Sequence, residues 1–480
     1  MAYWVRVLPR EVDMVARDGD NLLQLLRDAG LAVSAPCGGE GRCGKCRVRV
    51  DGTEVLACQT TVDRDMVVTL PEDTAQRILT EGTLAPIASA REGYQLAFDI
   101  GTTTVAGWLL AGGRVLARAS AANPQASFGA DVITRIRHGV RGQLAPMTAS
   151  IRDCLDELTR QLCRGGGISP DQVKLVSVVG NPAMQQILLG LPLDNLAAVP
   201  FAPVLTAAKT IPAGDILPLW DGAELLIVPD IAGFVGADTV ACILAAGMDT
   251  AEELTLLVDI GTNGEMVLGN RRRMAACSAA AGPALEGAGI TCGMSGRDGA
   301  IDHVKLENGQ LVCTVIGGGT AAGICGSGLI DAVAAALDAG WLNQRGKILT
   351  KDGLIHLTAE LSLTQEDIRQ VQLVKGAIAA GIELMAAHLG VALEDIDTVY
   401  LAGAFGTYMD PRSACRMGLL PPVLEGKIRA IGNAAGSGAK WLACSPGGLE
   451  RASRIVEEVE ALELSALPGF ARCFARNMRF

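Results

Sequence analysis

Two sets of residues in this chain have the types and spacing that chemistry requires. The first is P-C-G-G-E-G-R-C-G-K-C-R-V, Pro36 to Val48, which with Cys58 sets Cys37, Cys43, Cys46 and Cys58 in the spacing C-x5-C-x2-C-x11-C. Thiolates are soft ligands, and four of them with a tight C-x2-C suit zinc or an iron–sulfur centre. Zinc ribbons pair two such knuckles, whereas Cys58 stands alone. The first three cysteines share a glycine-rich loop able to turn N–H groups toward inorganic sulfide. An iron–sulfur centre is the favoured occupant and zinc the alternative.

The second set is a repeated loop. L-A-F-D-I-G-T-T-T-V-A-G-W-L-L, Leu96 to Leu110, returns as L-L-V-D-I-G-T-N-G-E-M-V-L, Leu256 to Leu268, with Asp259 lying 160 positions after Asp99 (259 − 99). Each copy is an apolar strand ending in Asp, then a glycine turn, then polar donors. Gly101 or Gly261 lets the backbone come close and present N–H groups to phosphate oxygens. Thr102, Thr103 and Thr104 in one copy, and Thr262 and Asn263 before Gly264 in the other, add side-chain donors. Asp99 and Asp259 stand where Mg²⁺ and its waters would sit between the loops. Repetition at a domain-sized distance points to two similar halves facing each other. A third stretch, V-Y-L-A-G-A-F-G, Val399 to Gly406, reads as a strand and a glycine turn, with Gly403 and Gly406 against a purine and ribose.

The elements that must position these residues follow from periodicity. Tyr3–Leu8 and Val12–Ala16 read as strands and Asn21–Asp28 as an amphipathic helix. R-V-R-V-D-G-T-E-V-L-A is a hairpin about Asp51-Gly52. After Leu70 a proline-containing stretch, in which only Ala75–Thr80 suits a helical turn or two, reads as a linker over residues 71–93. This divides the chain into residues 1–70, the linker, and residues 94–480, the last as two lobes of about 94–250 and 251–480. In I-A-G-F-V-G-A-D-T-V-A-C, Ile231 to Cys242, Asp238 or Asp230 either polarises a water or caps a helix. Gly317–Asp331 leads into a helix ending near Ala339, its glycines serving packing or facing phosphate. Gly432–Lys440 starts another helix. Cys277, Cys292, Cys313 and Cys325 show no C-x2-C spacing and read as small buried hydrophobes. The four histidines read as surface or satisfied residues.

Composition bounds the rest. The 480 residues are 49% hydrophobic, 19% charged and 4% aromatic, with 58 glycines, which suits a tightly packed α/β protein of several domains. A net charge of −11 argues against a nucleic-acid partner. The most apolar window, Leu225–Met248, holds Pro229, Asp230 and Asp238 and does not read as a membrane span. No basic start followed by an apolar run opens the sequence, so a cytoplasmic protein is expected.

These motifs resemble known families. The order strand, strand, helix, cysteine loop, hairpin is similar to the β-grasp fold of plant- and adrenodoxin-type ferredoxins, which implies a 2Fe–2S cluster on Cys37, Cys43, Cys46 and Cys58. From Tyr94 onward the chain resembles the acetate and sugar kinase, Hsp70 and actin superfamily. That implies two ribonuclease H-like α/β lobes with ATP between them. By this likeness Asp99, Gly101, Thr102, Thr103, Asp259, Gly261, Thr262 and Asn263 hold Mg²⁺ and phosphates, Asp238 activates water, and Gly403 and Gly406 line the nucleoside pocket.

An electron carrier joined to an ATPase makes sense when an electron must go uphill. Plant-type clusters sit near about −400 mV, and each further 100 mV costs about 2.3 kcal/mol per electron. The whole chain resembles the reductive activators of corrinoid enzymes, in I-A-G-F-V-G-A-D-T-V, L-V-D-I-G-T-N-G-E and Y-L-A-G-A-F-G and in domain order. That resemblance implies ATP-dependent reduction of Co(II) to Co(I) in a corrinoid protein of a methyltransferase system, a ferredoxin or flavodoxin as low-potential donor, and a homodimer. It also implies a short form without the middle domain of longer members. Three alternatives stand beside it: an activator of the 2-hydroxyacyl-CoA dehydratase type, a redox-gated small-molecule kinase, and a nucleotide-binding redox sensor.

Overall fold

A computed structural model describes residues 2–9, 12–29, 31, 33, 35, 39–41, 45–70, 81–82, 90–261 and 263–480. Cys37, Cys43, Thr262 and the proposed helical turn at Ala75–Thr80 lie outside the described residues.

The N-terminal sheet forms from alternating sequence. In β1 (Ala2–Leu8), Val5 and Val7 are fully buried while Trp4 and Arg6 face out. β1 pairs antiparallel with β2 (Val12–Arg17). Helix α1 (Leu22–Asp28) starts at Asn21, whose side chain accepts the Gln24 N–H at 3.2 Å, and buries Leu22, Leu23 and Leu26. The hairpin of β3 (Arg47–Val50) and β4 (Thr53–Leu56) turns through Asp51 and Gly52 at φ 50° and 84°, both left-handed, as a type I′ turn demands. With β5 (Met66–Thr69) parallel to β1, the strand order is β2-β1-β5-β3-β4, a β-grasp sheet crossed by one helix.

Two six-stranded sheets follow. The first lobe is a meander of β6 (Tyr94–Ile100), β7 (Thr104–Ala111) and β8 (Arg114–Ala122), extended by β9 (Val173–Gly180), β10 (Lys209–Pro212) and β11 (Glu224–Ile227) in the order β10-β11-β9-β6-β7-β8. Helix α2 (Val132–His138) packs beside it, and α3 (Ala237–Ala246) leads toward the second lobe. There β12 (Thr255–Ile260), β13 (Gly264–Asn270) and β14 (Arg273–Ala279) repeat the meander, and helix α4 (Gly326–Asp338) follows. β15 (Thr398–Ala402), α5 (Gly403–Tyr408), β16 (Ile428–Gly432), α6 (Ala434–Cys444) and β17 (Val459–Ala461) complete the order β16-β15-β12-β13-β14-β17. In each lobe the central strand has its antiparallel partner on one side and a parallel strand on the other, so the sequence repeat is a topological repeat.

Helices α3 and α6 fill the space between the two sheets. One hydrophobic cluster runs from Trp108 of the first lobe through Ile243, Ala439 and Leu442 to Leu257 and Val267 of the second. The helices touch backbone to backbone: a Cβ on Gly438 would lie 2.1 Å from the Ala241 carbonyl oxygen, and one on Gly436 would lie 2.2 Å from the Trp108 ring. Only hydrogen fits there, and such packing joins the lobes with little slack. Among the described residues no helix is long and apolar enough to cross a membrane.

Candidate functional site

Chain direction brings the two repeats together. β6 and β12 both deliver their aspartate at the strand end beside a tight turn, so Asp99 and Asp259 face one cleft from opposite lobes. The cleft is a cavity of about 350 Å³ lined by Asp99, Gly101, Thr102, Thr103, Thr104, Asp238, Asp259, Gly261, Asn263 and Gly403, together with Asn181, Glu265, Glu286, Asp302 and Asn433. A volume of that order suits a small-molecule ligand. Two sequence expectations fall elsewhere. Gly264 faces Ile378 and Ala279, and Gly406 sits within α5 against Leu401, so neither lines the cleft. The glycine turn expected over 403–406 is a short helix.

The pair Asp230 and Asp238 divides. Asp230 is buried, accepts the Ala237 N–H at 3.1 Å and the Gln185 amide at 2.8 Å, and so anchors the start of α3 away from the cleft. Asp238, in the first turn of α3, looks into the cleft.

Several supports are invisible in the motifs. The Asn433 side-chain amide donates to Asp99 Oδ2 at 2.9 Å. Asn123 donates to the Gly101 carbonyl at 2.7 Å. Arg135, fully buried, donates to the Thr102 carbonyl at 2.6 Å and the Gly129 carbonyl at 2.9 Å. Among the described residues no carboxylate pairs directly with Arg135, so a buried cation stands behind the first loop, where a bound anion would feel it. Burial pulls its pKa down to about 10. Thr103 Oγ1 donates to Glu286 Oε1 at 3.0 Å and ties one lobe to the other.

The electrostatics are those of an acid pocket. Burial, opposed by the Asn433 hydrogen bond and reinforced by Asp259, raises Asp99 to about 7. Burial also raises Asp238 to about 7 and Asp259 to about 6, the latter moderated by the Cys242 thiol. Glu265 is pushed well up by burial and then by Asp238 and Asp259. No lysine or arginine lines the cleft among the described residues. Carboxylates from both lobes thus line the cleft, although among the described residues no three of them gather closely enough to form a metal site of their own.

Gly403 closes the cleft floor at φ +80°, and a Cβ there would lie 2.7 Å from Asp259 Oδ1. Gly403→Ala should therefore displace that carboxylate and lower turnover at the cleft by about tenfold or more while the protein stays folded. Turnover and the thermal midpoint measured together check this; unchanged turnover would refute it.

In the N-terminal domain, Cys46 and Cys58 bring their sulfurs to 3.2 Å. That exceeds the disulfide length of about 2.05 Å and suits two thiolates sharing one metal. Backbone bonds hold the pair: Ala57 N–H donates to the Cys46 carbonyl at 2.8 Å, and Asn21 Nδ2 to the Cys58 carbonyl at 2.9 Å. Gly39 and Gly41 at φ +97° and +77° give the loop its left-handed bends. These residues fit a 2Fe–2S cluster. Cys277 sits in the second-lobe core and Cys325 on the cleft wall, while Cys292 is near enough to the cysteine loop for Lys45 to act on its thiol. Among the histidines, His303 pairs with Asp331, His356 with Asp352 and His388 with Glu460.

Three family models match in sequence. The 2Fe-2S iron-sulfur cluster binding domain covers residues 5–68, the RACo middle region 94–251, and the C-terminal domain of RACo, the ASKHA domain, 253–480. The corrinoid activation enzyme RamQ of Eubacterium limosum is 35% identical over 418 residues, 81% of this chain and 70% of the relative. The chain belongs to the family of corrinoid reductive activators. Another member, the [Co(II) methylated amine-specific corrinoid protein] reductase of Methanosarcina barkeri, is 29% identical over 337 residues, 64% of this chain and 62% of that protein. The solved structure of a reductive activator for corrinoid, iron-sulfur protein superposes with a TM-score of 0.73 at 26% identity, covering 100% of this chain and 98% of that one.

This family assignment corrects one expectation. The chain does not lack the middle domain: the residues read as the first lobe are themselves matched as the middle region. The repeated Asp-x-Gly-Thr loops had assigned that stretch entirely to the ATPase, which left no separate segment to be called a middle domain.

Proposed function

We propose that this protein uses ATP to drive one electron into the cobalt of a corrinoid protein, converting Co(II) to Co(I) and returning a methyltransferase system to service. The observation that carries the reading is the presence, on one chain of the activator family, of a cysteine pair poised for a metal and an acid-lined interlobe cleft. A bound 2Fe–2S cluster supplies a single low-potential electron. Cys37, Cys43, Cys46 and Cys58 hold it, while Gly39, Gly41 and Asn21 shape the loop around it. In the cleft, Asp99 and Asp259 would hold Mg²⁺, and Gly101, Thr102, Thr103, Thr104, Gly261, Thr262 and Asn263 would hold phosphates. Gly403 would line the nucleoside pocket. Asp238, with a pKa near neutrality, takes the proton of the attacking water. Thr103 and Glu286 draw the lobes together, so nucleotide-driven closure is available to bias the state of a docked partner. Residues 71–93 act as the tether between residues 1–70 and the lobes. A ferredoxin or flavodoxin supplies electrons, the active species is a homodimer, and the compartment is the cytoplasm.

The direct test mixes the anaerobically reduced protein with a Co(II) corrinoid protein, with and without MgATP, and follows cobalt absorbance. Co(I) should accumulate only with MgATP. Absence of Co(I) from a panel of corrinoid proteins, with the cluster intact and ATP still hydrolysed, would overturn the reading in favour of a small-molecule kinase.

A further inference from the structure

The tether does not run clear of the nucleotide site. At Glu81–Gly82 it is clamped to the turn between β16 and α6. The Asn433 N–H donates to the Glu81 carbonyl at 2.8 Å, and Gly82 forms an antiparallel bridge with Gly432. The contact is backbone on backbone from both sides. A Cβ on Gly82 would lie 2.4 Å from the Asn433 carbonyl oxygen and 2.5 Å from Ser437 Oγ, and one on Gly432 would lie 2.5 Å from the Glu81 carbonyl oxygen. The Glu81 carboxylate meanwhile pairs with Arg118 on β8 of the first lobe.

Asn433 joins this clamp to the chemistry. Its backbone N–H holds the tether, its Nδ2 holds Asp99 Oδ2, and its Oδ1 accepts the Gly436 N–H at 2.5 Å to start α6. All three bonds share one residue, and its side chain is held at both ends, so Asn433 follows a movement of Asp99 by moving the Gly432–Asn433 backbone. With no side chain between that backbone and the tether, a shift of a few tenths of an ångström at one is felt at the other.

We propose that Glu81–Gly82 is a clamp through which the tether of the cluster domain and the nucleotide cleft sense each other, with Asn433 as the positioning residue that joins them. This rests on the reading of the cleft as the MgATP site. A shift of Asp99 on nucleotide binding would be passed by Asn433 to the backbone of Glu81–Gly82 and would tighten or release the clamp. Because coupling is reciprocal, loosening the clamp changes nucleotide affinity by the factor by which nucleotide changes the clamp.

The test uses the full holoprotein and Mg²⁺ with the non-hydrolysable analogue AMPPNP. Amide hydrogen exchange is followed in the peptides containing Glu81–Gly82 and Asn433, and nucleotide affinity is titrated directly. In the native protein, saturating nucleotide should change exchange at both peptides by about threefold or more. Gly82→Ala, at a position whose backbone is not left-handed, should abolish that nucleotide dependence and shift nucleotide affinity by a matching factor. Asn433→Ala should uncouple the peptides too and, unlike Gly82→Ala, move the pH profile of Mg–nucleotide binding toward higher pH, because Asn433 stabilises the Asp99 carboxylate. Nucleotide that binds but leaves exchange at Glu81–Gly82 unchanged overturns the clamp while sparing the ATP site, as does a Gly82→Ala protein with native nucleotide dependence. Failure of the native protein to bind nucleotide at all sinks the ATP-site reading and the clamp with it.

Discussion

Cys58→Ser should abolish Co(I) formation outright while leaving nucleotide affinity within about threefold of native, since the two sites share no side chain. Cys46 is almost wholly buried, and Cys58, half-buried, meets it at 3.2 Å. A serine oxygen is a harder and poorer ligand than a thiolate for iron–sulfur centres. Its loss would leave a deeply buried Cys46 thiol facing a hydroxyl across an incomplete site. The measurement is the EPR signal of the dithionite-reduced protein alongside cobalt absorbance and a nucleotide titration. A variant that keeps a native 2Fe–2S signal and native Co(I) yield would remove Cys58 from the ligand set. One that loses nucleotide binding as well would make the cluster a structural element of the whole chain. Neither is expected, because Ala57 N–H to Cys46 O and Asn21 to Cys58 O hold the loop to the β-grasp sheet by backbone bonds that serine preserves.

The parts of this architecture legible in the sequence are those built from local pattern. Val5 and Val7 alternate with Trp4 and Arg6, so β1 declares itself. Asp51-Gly52 announces its hairpin because few other dipeptides accept two left-handed residues in succession. The Asp-Gly-Thr repeat reveals the two-lobed plan because a strand ending in a carboxylate and a tight turn is a short-range signature. The supports of the site are of another kind. Asn433 reaches Asp99 across 334 positions and Glu286 reaches Thr103 across 183, and nothing local marks either side chain. Glu265 lay inside the quoted motif, five residues before Asn270 at the end of β13, but strand alternation alone does not say that its neighbours include two more carboxylates. Gly406 shows the converse error. A glycine after a strand suggests a loop beside a ligand, yet here it lets α5 pack close to Leu401. Asp230 and Asp238 could be separated only by direction, since both stand near the start of one helix.

The acids of the cleft lead to the second large effect, a dependence on pH and metal. Asp99 and Asp238 are raised to about 7 and Asp259 to about 6, each chiefly by burial, against an ordinary value of 3.8. Without metal, the neutral acids suit the fold and their ionisation opposes it. Their stabilising contribution is therefore complete below about pH 4 and is lost as pH rises through 6 to 7. The metal-free protein should melt at lower temperature at pH 8 than at pH 5, and Asp238→Asn should flatten part of that fall. Mg²⁺ reverses the preference, because the ion binds the ionised carboxylates and must expel their protons. Its apparent affinity should climb by at least about tenfold from pH 6 to pH 8, and ATP turnover should rise with it toward a plateau above pH 7. The acids interact, so the profile belongs to the group and not to one residue. Asp259→Asn removes a ligand carboxylate and should lower turnover by about a hundredfold or more at every pH. Calorimetric melting with and without MgATP across pH 5 to 8, set beside the turnover profile, decides the matter. A thermal midpoint that rises with pH in the metal-free protein, or a Mg²⁺ affinity indifferent to pH, would mean that these carboxylates are already ionised in the empty cleft. Some cation other than Mg²⁺ would then have to be balancing them.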